Sequence, residues 1–95
     1  MKMLWIVADA SHLEAYRQAL HAAGAPGYTL LPVLEGSGST GTHAGDRVHP
    51  GALVALACVA EPALAETLFA AVLAARTAAG DAITRVFQWP VEHMA

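Results

Sequence analysis

Between two strongly apolar stretches the chain carries Gly36-Ser-Gly-Ser-Thr-Gly-Thr-His-Ala-Gly-Asp-Arg-Val-His-Pro-Gly51, a run of glycines, hydroxyls, two histidines, one aspartate and one arginine. Such a segment has few side chains for a core but many backbone N–H groups. Glycines can turn consecutive N–H groups toward an anion, and Arg47 adds a fixed charge with a planar donor fork, so a phosphate or carboxylate suits this cradle. His43, Asp46 and His49 carry nitrogen and oxygen donors at three-residue intervals with Glu35 nearby, which is chemistry for a divalent transition metal. The segment reads as a ligand loop or an interaction loop.

Two sharper readings of the same residues fail on context. Gly36-Ser-Gly-Ser-Thr-Gly41 matches G-x-G-x-x-G letter for letter, but a dinucleotide fingerprint needs a helix to open there, and Thr-His-Ala-Gly-Asp-Arg does not start one. Gly36 and Gly41 also have the spacing of a phosphate-binding Walker loop, yet Thr42 stands where its lysine is required. Ser39, His43 and Asp46 contain the atoms of a catalytic triad without a rigid scaffold to hold them, so no catalytic residue is assigned. Cys58, the only cysteine, sits among apolar neighbours and reads as a small core residue.

The 95 residues make one domain, 1–95, and a hydrophobic fraction of 56% exceeds what so small an interior hides. Self-association is the natural outlet. A formal charge of −3, with Lys2, Arg17, Arg47, Arg76 and Arg85 as the only fixed cations, gives no basic footprint for nucleic acid. No apolar run approaches the ~20 residues of a membrane span and no signal peptide is evident, so membrane insertion is not expected and a cytoplasmic location is.

The elements that must position the glycine-rich segment follow from periodicity. Met3 to Ala8 is an apolar run of strand length, and Ser11-His-Leu-Glu14 has the spacing of a capping box opening a helix that runs to about Ala23. Tyr28 to Leu34 reads as a second strand, placed at an edge by Pro32, which cannot donate a ladder hydrogen bond. Leu53 to Val59 is a third strand. Pro62 opens a second helix with Leu64, Leu68, Ala71, Val72 and Ala75 as its stripe, Gly80 stops it, and Ile83 to Trp89 is a fourth strand halted by Pro90. The order β-α-β-β-α-β is that of an α+β, ferredoxin-like fold, a four-stranded antiparallel sheet with two helices on one face. The first and third strands are apolar at consecutive positions, which calls for a partner over the other face and hence a homo-oligomer; the alternative is that Ala8, Ala55 and Ala57 merely dilute an exposed face. Trp5 and Trp89 fall on strands that are neighbours in this order, where core or oligomer packing explains them better than base stacking.

Val33-Leu-Glu-Gly-Ser-Gly-Ser-Thr-Gly41, leading through His49-Pro-Gly51 into the third strand, and the ending Val86-Phe-Gln-Trp-Pro-Val91 resemble the PII-like signalling superfamily, with the CutA-type proteins similar in fold. The resemblance implies a homotrimer, effectors held in clefts between subunits, and a loop after the second strand, the T-loop, that changes conformation and engages a target protein. Here 35–50 takes that place. Members that bind adenine nucleotides bring glycine-bearing backbone around the phosphates, which points to Gly36, Gly38, Ser39, Thr40 and Gly41, with Arg47 as an addition. The segment lacks the tyrosine of longer T-loops, so uridylylation is not expected. Between the second helix and fourth strand the chain has only Ala78-Ala-Gly-Asp81 where the family has a glycine- and lysine-rich phosphate loop.

The reading is therefore a trimeric PII-like sensor of nitrogen regulation and signal transduction: an adenine nucleotide or another anion reorders 36–50, which docks on or releases a target protein. It is not an enzyme and needs no cofactor. The rival is a divalent-metal-responsive protein using His43, Asp46 and His49; a third, an enzyme of this fold, has only His43 or His49 as a base.

Overall fold

The computed structural model describes residues 1–33, 37–38, 41–42 and 53–95. Six strands are found there: β1 (Lys2–Asp9), β2 (Thr29–Val33), β3 (Ser37–Gly38), β4 (Gly41–Thr42), β5 (Leu53–Ala60) and β6 (Arg85–Pro90). Two α-helices, α1 (Leu13–Ala22) and α2 (Pro62–Ala78), connect them. The main sheet has the order β2-β5-β1-β6 with every neighbouring pair antiparallel, so the fold is ferredoxin-like. β3 and β4 form a separate two-stranded ladder.

Side chains alternate across a strand, and here the alternation decides which residues meet the helices. Leu4, Ile6 and Ala8 of β1 and Leu56, Cys58 and Ala60 of β5 point to the helix side. Tyr16 and Leu20 of α1 and Ala65, Leu68 and Val72 of α2 close over them, all nearly inaccessible. Of the expected α2 stripe Leu68 and Val72 are buried and Leu64 and Ala75 pack partly on the core, whereas Ala65 and Phe69 join it and Ala71 does not. Ala8 lies in this core and dilutes no exposed face.

Both helices end alike. Gly24 at φ +91° and Gly80 at φ +62° take the left-handed region, which costs a side chain roughly 1–2 kcal/mol. Beyond each glycine an N–H reaches back, Ala25 to Leu20 O at 2.9 Å and Asp81 to Arg76 O at 3.1 Å, closing the six-residue loop that satisfies the last carbonyls.

The capping box does not form. Asp9 is the cap instead: its carboxylate accepts from Ser11 N–H at 2.9 Å and opens a 3-10 turn, Ala10–His12, ahead of α1, while His12 gives no side-chain cap to the helix itself. The strand ends one residue later than expected and brings its own acceptor, which outcompetes the Ser11 hydroxyl. β6 also starts later than Ile83, because the N–H groups of Ile83 and Thr84 are spent on Asp81. Pro90 closes that strand as its last residue, and β2 with Pro32 is an edge, as proline requires.

Candidate functional site

The register gathers several connections at one end of the sheet. Val33 of β2 lies opposite Leu53 of β5, and Leu53 lies opposite Asp9, the last residue of β1. Residues 34–52 therefore leave and re-enter the sheet at adjacent points. β6 begins at the same end, where Arg85 is the partner of Val7. The points where the chain leaves and re-enters the sheet around the glycine-rich segment thus share one end of the sheet with the α2–β6 turn, by antiparallel pairing alone.

Within the glycine-rich segment, Ser37 pairs with Thr42 and Gly38 with Gly41. Sequence reasoning treated this stretch as a loop throughout; the structure gives it a short ladder. Gly36, Ser39, Thr40 and Arg47, expected at an anion, lie outside the described residues, as do His43, Asp46 and His49, expected at a metal. Among the described residues no group of three or more His, Cys, Asp or Glu is placed to hold a metal ion.

The α2–β6 turn is fully described and carries what the sequence did not reveal. Asp81 is buried and collects four hydrogen bonds: Oδ1 accepts from Ile83 N–H at 2.9 Å and Thr84 N–H at 3.1 Å, and Oδ2 accepts from the Tyr16 hydroxyl at 2.6 Å and from the Thr84 hydroxyl. Burial pushes the Asp81 carboxyl up, but these donors outweigh it and hold the group at about 2. Burial first and the Asp81 hydrogen bond second push Tyr16 up to about 12. Near neutral pH one group stays ionised and the other protonated, which suits a structural clamp and not a proton shuttle.

Around that turn two arginines converge. Arg76 Nη1 donates to Thr84 O at 3.3 Å, and Arg85 Nη1 donates to the carbonyls of Ala82, Ile83 and Thr84 at 3.1–3.2 Å. A shallow hollow lined by Arg76, Thr77, Gly80, Asp81 and Ala82 opens beside them. Two guanidinium groups fixed on backbone carbonyls give an anion oriented donors. Sequence reasoning found only Ala78-Ala-Gly-Asp81 at this place; the signal it lacked was the register that sets Arg85 at the mouth of the turn. Cys58, by contrast, is where expected: it is buried, and burial raises its pKa against a weaker opposing hydrogen bond with the Gly27 backbone, so it offers no nucleophile.

The family model described as Nitrogen regulatory protein P-II matches residues 1–95. The chain belongs to the P-II family. Among solved structures, CPII from Thiomonas intermedia K12, a nitrogen regulatory PII-like protein bound to ADP, AMP and bicarbonate, is 26% identical, with a TM-score of 0.72 over 97% of this chain and 88% of that one. A second structure of CPII, bound to ADP and bicarbonate, matches at a TM-score of 0.68, with 26% identity and the same coverage. No curated protein matches the chain. The family places the protein among regulators of nitrogen metabolism, and the resemblance read in Val33 to Gly51 and Val86 to Val91 is borne out. Among the described residues no helix is long and apolar enough to cross a membrane.

Proposed function

We propose that this P-II family chain is a trimeric sensor of an adenine nucleotide or a small anion, which acts in the cytoplasm on a target protein through residues 35–50. The observation that carries the reading is the family match together with CPII, a 26% identical relative whose structure contains ADP, AMP and bicarbonate. The effector lies in a cleft between subunits, against the glycine-rich segment. Gly36, Gly38, Ser39, Thr40 and Gly41 offer backbone N–H groups to its phosphates and Arg47 a guanidinium. Arg85 and Arg76 supply further positive charge from the α2–β6 turn, where the chain lacks the glycine- and lysine-rich loop that the family resemblance describes.

The sensor breaks no bond. It needs two arrangements of 35–50 with different affinity for the effector, because a ligand shifts an equilibrium only by its differential binding. A glycine-rich segment costs much entropy to order, so its unliganded arrangement is easily left and the ligand supplies the bias. The trimer closes over the sheet face that the helices leave uncovered, where Phe87 is 50% and Trp89 40% exposed.

Thermal unfolding of chelator-treated protein with AMP, ADP, ATP, bicarbonate, zinc and copper in turn tests this reading. A nucleotide at about 100 times its Kd stabilises the fold by roughly 2.7 kcal/mol. The melting shift is expected with an adenine nucleotide and is expected to fall in Arg47→Ala and Arg85→Ala. A shift with metal alone, abolished by replacing His43 and His49, would overturn the reading in favour of metal response.

A further inference from the structure

We propose that the groove between the outer face of α1 and Tyr28 binds a small zwitterion of the α-amino acid type. Glu14, Arg17, Gln18 and His21 recur at helical spacing and form one outward stripe, and Tyr28, in the connection to β2, makes the opposite wall of a groove of about 520 Å³. That volume lies in the range of small-molecule sites.

The charged groups in the groove engage one another only through a loose, exposed ion pair. Arg17 Nη1 stands 3.6 Å from Glu14 Oε2, beyond a hydrogen bond, and the two side chains are 36% and 68% exposed. A pair this open is worth little, and each charge keeps capacity for a ligand. The Arg17 guanidinium rests 5.9 Å from the centre of the Tyr28 ring, which holds it by a cation–π contact. Its Nε is shielded from water and has no acceptor.

The charge pattern selects the class. Glu14 repels a simple anion and Arg17 repels a simple cation, whereas a molecule with carboxylate and ammonium on one carbon meets each with the opposite sign. The carboxylate takes the exposed Nη end of Arg17, and the ammonium donates to Glu14. The Tyr28 ring, 43% exposed, packs on the ligand's side chain, with the Gln18 amide and His21 imidazole further along the stripe. The groove lies on the helix layer, away from the uncovered sheet face, and borders β2, the sheet edge opposite β6. It is independent of the nucleotide reading, and either can fail alone.

The test is a nuclear magnetic resonance titration of the isotopically labelled full chain with L-glutamine, L-leucine and L-phenylalanine, beside acetate and methylammonium. At roughly 10 mM ligand, about ten times a millimolar Kd, saturable shifts are expected at Glu14, Arg17, His21 and Tyr28 with amino acids and not with the two single-charge probes. Arg17→Ala and Glu14→Gln should each weaken binding about tenfold, equivalent to about 1.4 kcal/mol, with backbone spectra and response to ADP unchanged. No shift with any amino acid, acetate binding as tightly as amino acids, or full binding in both variants would overturn the proposal.

Discussion

The two faces of the sheet are built from alternate residues of the same strands, and they differ in kind. On the helix side Leu4, Ile6, Leu56 and Cys58 are each no more than 2% exposed. On the other side Leu53 and Ala55 are buried, Met3, Trp5, Val7, Ala57 and Val59 are half-buried, and Phe87 and Trp89 are open. Trp5 and Trp89 lie 6.3 Å apart with their rings tilted by 45°, a favourable aromatic pair that still leaves apolar surface uncovered. One face is finished by the chain itself; the other is covered in part, and toward β6 it leaves apolar surface that a second molecule can cover. The difference teaches that nearly continuous hydrophobicity in a strand measures how many faces the proposed trimer would bury, and not how many the chain can bury alone.

The comparison is broken most severely from the helix side. Leu68→Ala empties part of a fully buried site and is expected to cost about 2–5 kcal/mol, read as a lower denaturant midpoint. Next comes the Asp81 clamp, which ties that helix layer to β6. Its folded pKa of about 2 lies below the ordinary 3.8, so its stabilisation is present above pH 4 and is lost as pH falls through about 2. The shift corresponds to about 2 kcal/mol, and Asp81→Asn should lower stability at pH 7 and flatten its decline in acid, as measured by urea unfolding across pH. Tyr16 works in the opposite sense, since a folded pKa raised from 10.0 to about 12 stabilises below pH 10 and is lost as pH rises toward 12.

Smaller effects sharpen the contrast. Gly80→Ala forces a side chain into a positive φ with no neighbouring atom to clash, so the cost should stay near 1 kcal/mol in a melting experiment. Phe87→Lys, at the exposed part of that face, is expected to change the stability of the isolated fold by less than about 0.5 kcal/mol while dissociating the proposed trimer in sedimentation. If it instead unfolds the chain and leaves the mass unchanged, the distinction between the two faces does not hold.

Much of this was legible from residue order. Periodicity gave both helices and the four main strands, Pro32 gave the edge, and Gly24 and Gly80 gave the helix ends, because each of these rests on neighbours within a few positions. The candidate site was legible only in part. The family resemblance pointed to 35–50, yet Arg76 and Arg85 carried no local pattern to mark them, and the acceptor that starts the first turn proved to be Asp9 and not Ser11.

The sequence by itself determined the order of elements and the family, since both are written in periodicity and short motifs; which side of the central strands meets the helices was decided by the structure. Only the tertiary structure decided that Tyr16 and Asp81, 65 positions apart, share a buried hydrogen bond, and that Arg85 stands beside the turn at the end of the sheet from which the glycine-rich segment emerges. The physical reason is range: hydrophobic pattern acts through neighbours along the chain, whereas a hydrogen-bond partner is fixed by strand register and by the packing of elements distant in sequence.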